Sequence, residues 1–238
     1  MAVAEREQQA AVELVDLGTT PLRELNQRLH DLAQAPGPSA WRIVNPNGAH
    51  AVACGLDADI EVEVEGHVGY YCAGMNKLAT VRVRGNCGPG VAENVMSGKV
   101  VVDGDASQAA GASGRGGLLV IRGSASARCG ISLKGMDIVV HGSIGHAGAF
   151  MAQRGTVLVG GDAGEDLGDS IYEARLYVRG KVAGLGADCI EKEIGDEHRA
   201  ELERLLSAGE APFDPGEFRR YGSARRLYTF DVDNAGAY

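Results

Sequence analysis

Proline is scarce, at 7 of 238 residues, so the 35 glycines, about twice the usual share of roughly 7%, fit neither a collagen-like chain nor a Pro/Gly linker. Basic residues are outnumbered, 23 Lys and Arg against 32 Asp and Glu, and the formal charge of -9 argues against a surface that gathers nucleic acid or anionic membrane. No apolar run is long enough to span a bilayer, and the opening MAVAEREQQA lacks an apolar signal segment, which points to the cytoplasm. Cys54, Cys72, Cys87, Cys129 and Cys189 are odd in number and hold no CxxC pair. That speaks against a disulfide framework, an iron-sulfur site or structural zinc, and leaves small buried thiols. The motifs G-x-S-x-G and H-E-x-x-H are missing, and GASGRGG at 111–117 lacks the Lys-Ser/Thr of a phosphate loop.

What the chain does have is a period. Gly66, Gly85, Gly104, Gly123, Gly142, Gly161 and Gly180 fall at every nineteenth position. Four residues before each stand Val62, Val81, Val100, Leu119, Ile138, Val157 and Leu176, and two before each stand Val64, Val83, Val102, Ile121, Val140, Val159 and Val178. Period two sends both columns to one face of a short strand, where branched side chains pack well. No such unit buries that face alone, so the units must stack in register. The pattern predicts an all-β, single-stranded parallel β-helix, a β-solenoid of 19-residue coils with short helical extensions at both ends. At roughly 4.8 Å per strand, seven coils span about 34 Å. Right-handed coiling follows the preference of parallel crossovers. The third position after each glycine holds only Gly, Ser or Ala and the seventh only Gly or Ala, which marks tight bends or close backbone approach.

The outward positions change character along the solenoid. Just before the glycines stand Glu65, Arg84, Asp103, Arg122, His141, Gly160 and Arg179, an acid/base ladder through its first four coils. Two residues earlier the column begins with Glu63 and Arg82 and then turns apolar: Val101, Val120, Val139, Leu158 and Tyr177. An exposed solenoid avoids such a stripe, so it is a candidate interface, to be covered by a helix, the terminal tail or another protein.

Three segments divide the chain. Residues 1–41 form an N-terminal helical extension, with Thr20 and Pro21 opening a helix striped by Leu22, Leu25, Leu29 and Leu32. Residues 42–190 form the β-helix, with an irregular first coil near Asn47. Residues 191–238 hold a helix around Leu202, Leu205 and Leu206 that Gly209 ends, then a tail concentrating Phe213, Phe218, Tyr221, Tyr228, Phe230 and Tyr238. His141 and His146 have no equivalently placed partners in adjacent coils, so no catalytic, cofactor-binding or metal residue is assigned. Asp166 and Asp169 are the carboxylates to check for a stand-alone β-helical carbohydrate-active enzyme.

The glycine turns, notably GDAGEDLG at 161–168 with IVVHGSIGHAGAFMAQRG at 138–155, resemble the GXGXG domain at the carboxyl end of glutamate synthase large chains, over about 42–190. DLGTTPLRELNQRLHDL at 16–32 and FRRYGSARRLYTF at 218–230 resemble more specifically the free-standing GXGXG subunit of N-methylglutamate synthase and related complexes. The resemblance implies a right-handed β-helix and a scaffold without a catalytic site of its own. It also implies two partners: a class II glutamine amidotransferase subunit, and a synthase subunit that carries FMN and an iron-sulfur cluster. The GXGXG interaction subunit of another redox complex, such as formylmethanofuran dehydrogenase, is the more distant alternative.

Overall fold

The computed structural model describes residues 12–224. Eleven strands make one sheet: β1 (Val12–Asp16), β2 (Ala40–Val44), β3 (Glu61–Glu65), β4 (Thr80–Arg84), β5 (Lys99–Val102), β6 (Leu118–Ile121), β7 (Lys134–Val140), β8 (Arg154–Val159), β9 (Arg175–Val178), β10 (Cys189–Lys192) and β11 (Arg219–Ser223). The helices are α1 (Leu22–Asp31) and α2 (Asp196–Ala208). β1 to β9 lie side by side in chain order, all parallel, and then come β11 and β10. Val62 pairs with Val81, Val81 with Val100, and so on to Leu176, each step one full period of the repeat. The chain is a parallel β-solenoid.

Both branched columns face inward, and none of their fourteen residues is more than 1% exposed. Burying each such side chain is worth about 1.5–3 kcal/mol, which fixes the register, because a slip of one residue would put charges inside. A second ladder of single bridges links Val68, Cys87, Ala106, Ala125, Ile144, Ala163 and Val182, two residues after each glycine.

The small columns have different physical causes. At Gly142 an added Cβ would lie 2.4 Å from Ser124 Oγ and 2.8 Å from the Gly123 carbonyl oxygen, so the glycine is there for close approach. The intruding atom belongs to a ladder absent from the sequence reading. One residue after each glycine from Gly66 to Gly161 stands an acceptor, and the backbone N–H of the equivalent residue in the next coil donates to it: Asn86 to His67 Nδ1, Asp105 to Asn86, Ser124 to Asp105, Ser143 to Ser124, Asp162 to Ser143 and Lys181 to Asp162, at 2.7–3.1 Å. The seventh position is small because its backbone is left-handed as well as buried: Ala149 has φ 55° and Gly130 has φ 70°. Left-handed residues also stand two positions to either side, among them Ala147 and Met151. The N–H groups of these three point alternately to the next coil (Glu165 O), the previous coil (Cys129 O) and the next again (Asp169 O), at 2.7–2.8 Å. These bonds offset a strain of about 1–2 kcal/mol per residue.

Both ends depart from the period. β1 pairs with β2, so the segment before residue 42 supplies a strand of the sheet as well as a helix. Val44 pairs with Glu65, two positions beyond the regular spacing, so Asn45 and not Asn47 stands opposite Gly66. The helix α1 begins after Pro21 without a side-chain cap, and the N–H of Thr20 goes to Asp16 O. α1 seals the first coil: Leu25 and Leu29 are fully buried, Asn26 Nδ2 donates to Ala51 O at 2.9 Å, and the Ala53 N–H donates to Asn26 Oδ1 at 3.1 Å. In the last coil Leu167 bridges to Leu185, one position short of the regular spacing, so Ala187 leaves the small column and Asp188 takes the left-handed turn. Residues 189–192 are strand β10, not the start of the helix, and the antiparallel pair β10–β11 closes the sheet beside β9. Tyr228, Phe230 and Tyr238 of the aromatic tail lie outside the described residues.

Candidate functional site

The outer face of the sheet carries the chemistry that the period leaves free, and its two halves differ. Over β2 to β5 the face is charged. Arg82 forks onto Asp103 with two bonds of 3.0 Å, Arg84 bonds Glu63, and Arg42 pairs with Glu65. Arg122 reaches Asp103 from the other side at 3.5 Å. The Arg84 guanidinium beside Glu63 holds that carboxyl below the usual carboxylate range. The hydrogen-bonded pairs are thus diagonal, Arg84 to Glu63 and Arg82 to Asp103, while the straight rungs that the column order suggested are the longer contacts of Arg122 and Arg84 with Asp103, at 3.5 and 3.9 Å.

Over β7 to β9 the face is covered by the chain itself. Val139, Leu158 and Tyr177 pack in one cluster with Leu202, Leu205 and Leu206 of α2 and with Ala211 and Phe218 after it; Val101 and Val120 are buried too. Polar contacts fasten the helix along its length. Glu201 accepts from Tyr177 Oη at 2.6 Å, Thr156 Oγ1 at 3.2 Å and Arg175 at 3.3 Å. Burial and Glu201 together push the Tyr177 hydroxyl well above its ordinary range. Arg204 bonds Asp137 at 2.8 Å, and Lys99 Nζ donates to Ala208 O at 3.1 Å.

The end of α2 is built to land on the ladder. Ala211 N–H bonds Leu206 O and Glu210 N–H bonds Ser207 O, a Schellman closure with Glu210 left-handed at φ 53°. Gly209 ends the helix as expected, at φ -86°, with the left-handed turn one residue later; it is small because Val139 Cγ1 lies 2.7 Å from where its Cβ would be. Glu210 bonds Arg122 at 2.6 Å, and His141 Nε2 lies 2.9 Å from Gly209 O. Gly160 interrupts the ladder because the Phe213 ring occupies the place of its side chain, 2.3 Å from an added Cβ, while Arg179 stacks over that ring at 4.8 Å. The breaks in the charge ladder at His141 and Gly160 were the visible sequence signal of this docking.

The other singled-out groups are tied into the fold. His146 Nδ1 lies 3.4 Å from Asp166, and Asp169 accepts from Ser170 Oγ at 2.7 Å. Burial pushes the thiols of Cys87 and Cys129 up to about 12 and that of Cys189 up to about 11, and it raises Cys54 and Cys72 as well. Among the described residues no three His, Cys, Asp or Glu side chains converge as a metal site, and no helix is long and apolar enough to cross a membrane.

No family model matches the chain. It is 62% identical over 226 residues to Protein GlxC of Rhizobium meliloti (strain 1021), an alignment covering 94% of this chain and 99% of that protein. An identity of that size, running nearly end to end over a glycine-turned solenoid and both of its helical extensions, places the chain in the GlxC family, a glutamate-synthase-like family of GXGXG-domain proteins.

Proposed function

We propose that the chain is a non-catalytic structural subunit of a glutamate-synthase-like complex of the N-methylglutamate synthase type. In this reading the solenoid is a stiff spacer. It holds a class II glutamine amidotransferase subunit, which releases ammonia, in fixed relation to a synthase subunit whose FMN and iron-sulfur cluster serve the reaction that consumes it. The observation that carries the reading is the use already made of the chemistry-bearing side chains. His67, Asp105 and Asp162 accept bonds from the next coil, His141 contacts the end of α2, and Asp166 pairs with His146. The two-sided hydrogen bonding of every coil gives the stiffness that a spacer needs.

Purification of the tagged complex from its native cell tests this. Co-purification of an amidotransferase and a flavin-bearing synthase polypeptide is expected, while the chain alone neither hydrolyses glutamine nor binds FMN stoichiometrically. Robust glutaminase activity in the rigorously purified chain would defeat the assignment.

A further inference from the structure

The helix α2 does not fill the whole groove that it crosses. Beside its N-terminal half a cavity of about 490 Å³ remains, walled by the first residues of β8 and β9, the end of β10 and the strand β11. Seven charged side chains line it. Two of the acids are already satisfied inside the fold: Asp137 by Arg204, and Glu201 by Arg175, Tyr177 and Thr156. The third, Glu173, is exposed at the rim. The cations are not satisfied to the same degree. Among the described residues neither Arg154 nor Lys192 has an ion-pair partner, and Arg220 spends only its Nε, on Glu193 O at 2.8 Å. Lys192 and Arg220 are moreover half-buried, where a neighbouring positive charge is screened less than in open water. Gly222 keeps the wall low: nothing lies closer than 3.7 Å to an added Cβ, and the nearest side chain is the Lys192 stem.

We propose that this cavity binds a small anion bearing carboxylate or phosphate oxygens, held by Arg154, Lys192 and the free Nη groups of Arg220. In a chain of net charge -9, three cations without carboxylate partners among the described residues line one cavity, where two of the three acids are already paired and the third, Glu173, sits exposed at the rim, and this leaves a local excess of positive charge. Guanidinium and ammonium donors match such oxygens with charge-assisted bonds. The site stands apart from the scaffold reading and does not depend on it.

Calorimetric titration of the full chain with inorganic phosphate and, separately, with succinate, at matched ionic strength, tests it. Saturable binding at one site with a Kd of about 1 mM or tighter is expected for at least one of them. The preferred anion identifies the source as a phosphate or a dicarboxylate ligand. Arg154→Gln with Lys192→Gln should weaken it about tenfold or more. Arg23→Gln with Arg128→Gln, which removes the same charge far from the cavity, should leave it unchanged. Circular dichroism melts confirm that each variant is folded, and Lys192→Gln alone serves if the double variant is not. Absence of saturable binding for both anions, equal binding by the cavity variant, or equal weakening by the remote pair would each overturn the proposal.

Discussion

The N-terminal and C-terminal halves of the solenoid share one interior and differ on the outside. Inside, Val81 and Val157 do the same work, and Ala92 and Ala149 take the same left-handed turn at φ 57° and 55°. Outside, the same column reads Glu63 and Arg82 in one half and Val139, Leu158 and Tyr177 in the other. The charged half carries partly exposed ion pairs that reach the C-terminal segment only at its edge, through Lys99 and Arg122, and the apolar half is roofed by α2. A repeat fixes the core of every coil alike but leaves its outer residues free to differ, so docking specificity is written there.

Breaking the roof should have the largest effect. Val139→Asp places a charge where the side chain is fully buried beneath α2, at an expected cost of about 3–5 kcal/mol, read by denaturant unfolding. Limited proteolysis after residue 195 should accelerate in the same variant. Val120→Asp combined with Val139→Asp should lower the stability of the free chain, and unchanged melting would show that α2 does not hold this face.

The shared interior predicts equality. Ala92→Leu and Ala149→Leu each add volume at a left-handed, fully buried position, at about 2–4 kcal/mol apiece. A large difference between them would mean that the halves are not equivalent inside.

A smaller effect should follow acidification, confined to the roofed half. His198 Nδ1 accepts the Gly195 N–H at 3.0 Å at the start of α2, and burial, with Arg220 nearby, holds its pKa below the ordinary 6.5. Folding therefore favours the neutral ring. The stabilisation is complete above 6.5 and is lost as pH falls from there through the lower folded value. Hydrogen exchange of the α2 amides between about pH 7.5 and about pH 5 should show this loosening. His198→Gln, which keeps an acceptor but does not titrate, should flatten it, and an unchanged pH profile in that variant would remove His198 as the cause.

Least should come from the open half. Arg82→Gln removes the fork onto Asp103, a partly exposed pair, at under about 1 kcal/mol by thermal melting. A loss comparable with that of Val139→Asp would erase the distinction between the halves.

How much of this was legible varies with the range of the interaction. The inner columns were, because equivalent positions in successive coils face the same environment. The acceptor ladder from His67 to Asp162 was legible in principle, since that column holds only short or ring acceptors before Lys181, but no strand or helix rule looks for it. The left-handed turns at Tyr71, Met75 and Arg128 were hidden, because such residues rarely adopt that backbone and do so here for N–H bonds to the next coil. Strand β1 was hidden as well, since the helix α1 between it and β2 breaks the spacing.

By itself the sequence determined a stacked, glycine-turned solenoid with a branched interior, and it exposed an apolar stripe in need of a cover. Both follow from side-chain periodicity, which is local and repeated. Only the tertiary structure decided that α2 supplies that cover, that Phe213 takes the space left by Gly160, and that Arg154, Lys192 and Arg220 meet at one cavity. Those contacts join segments with no common period, and they form only once the coils have stacked to present a surface for the C-terminal segment to pack on.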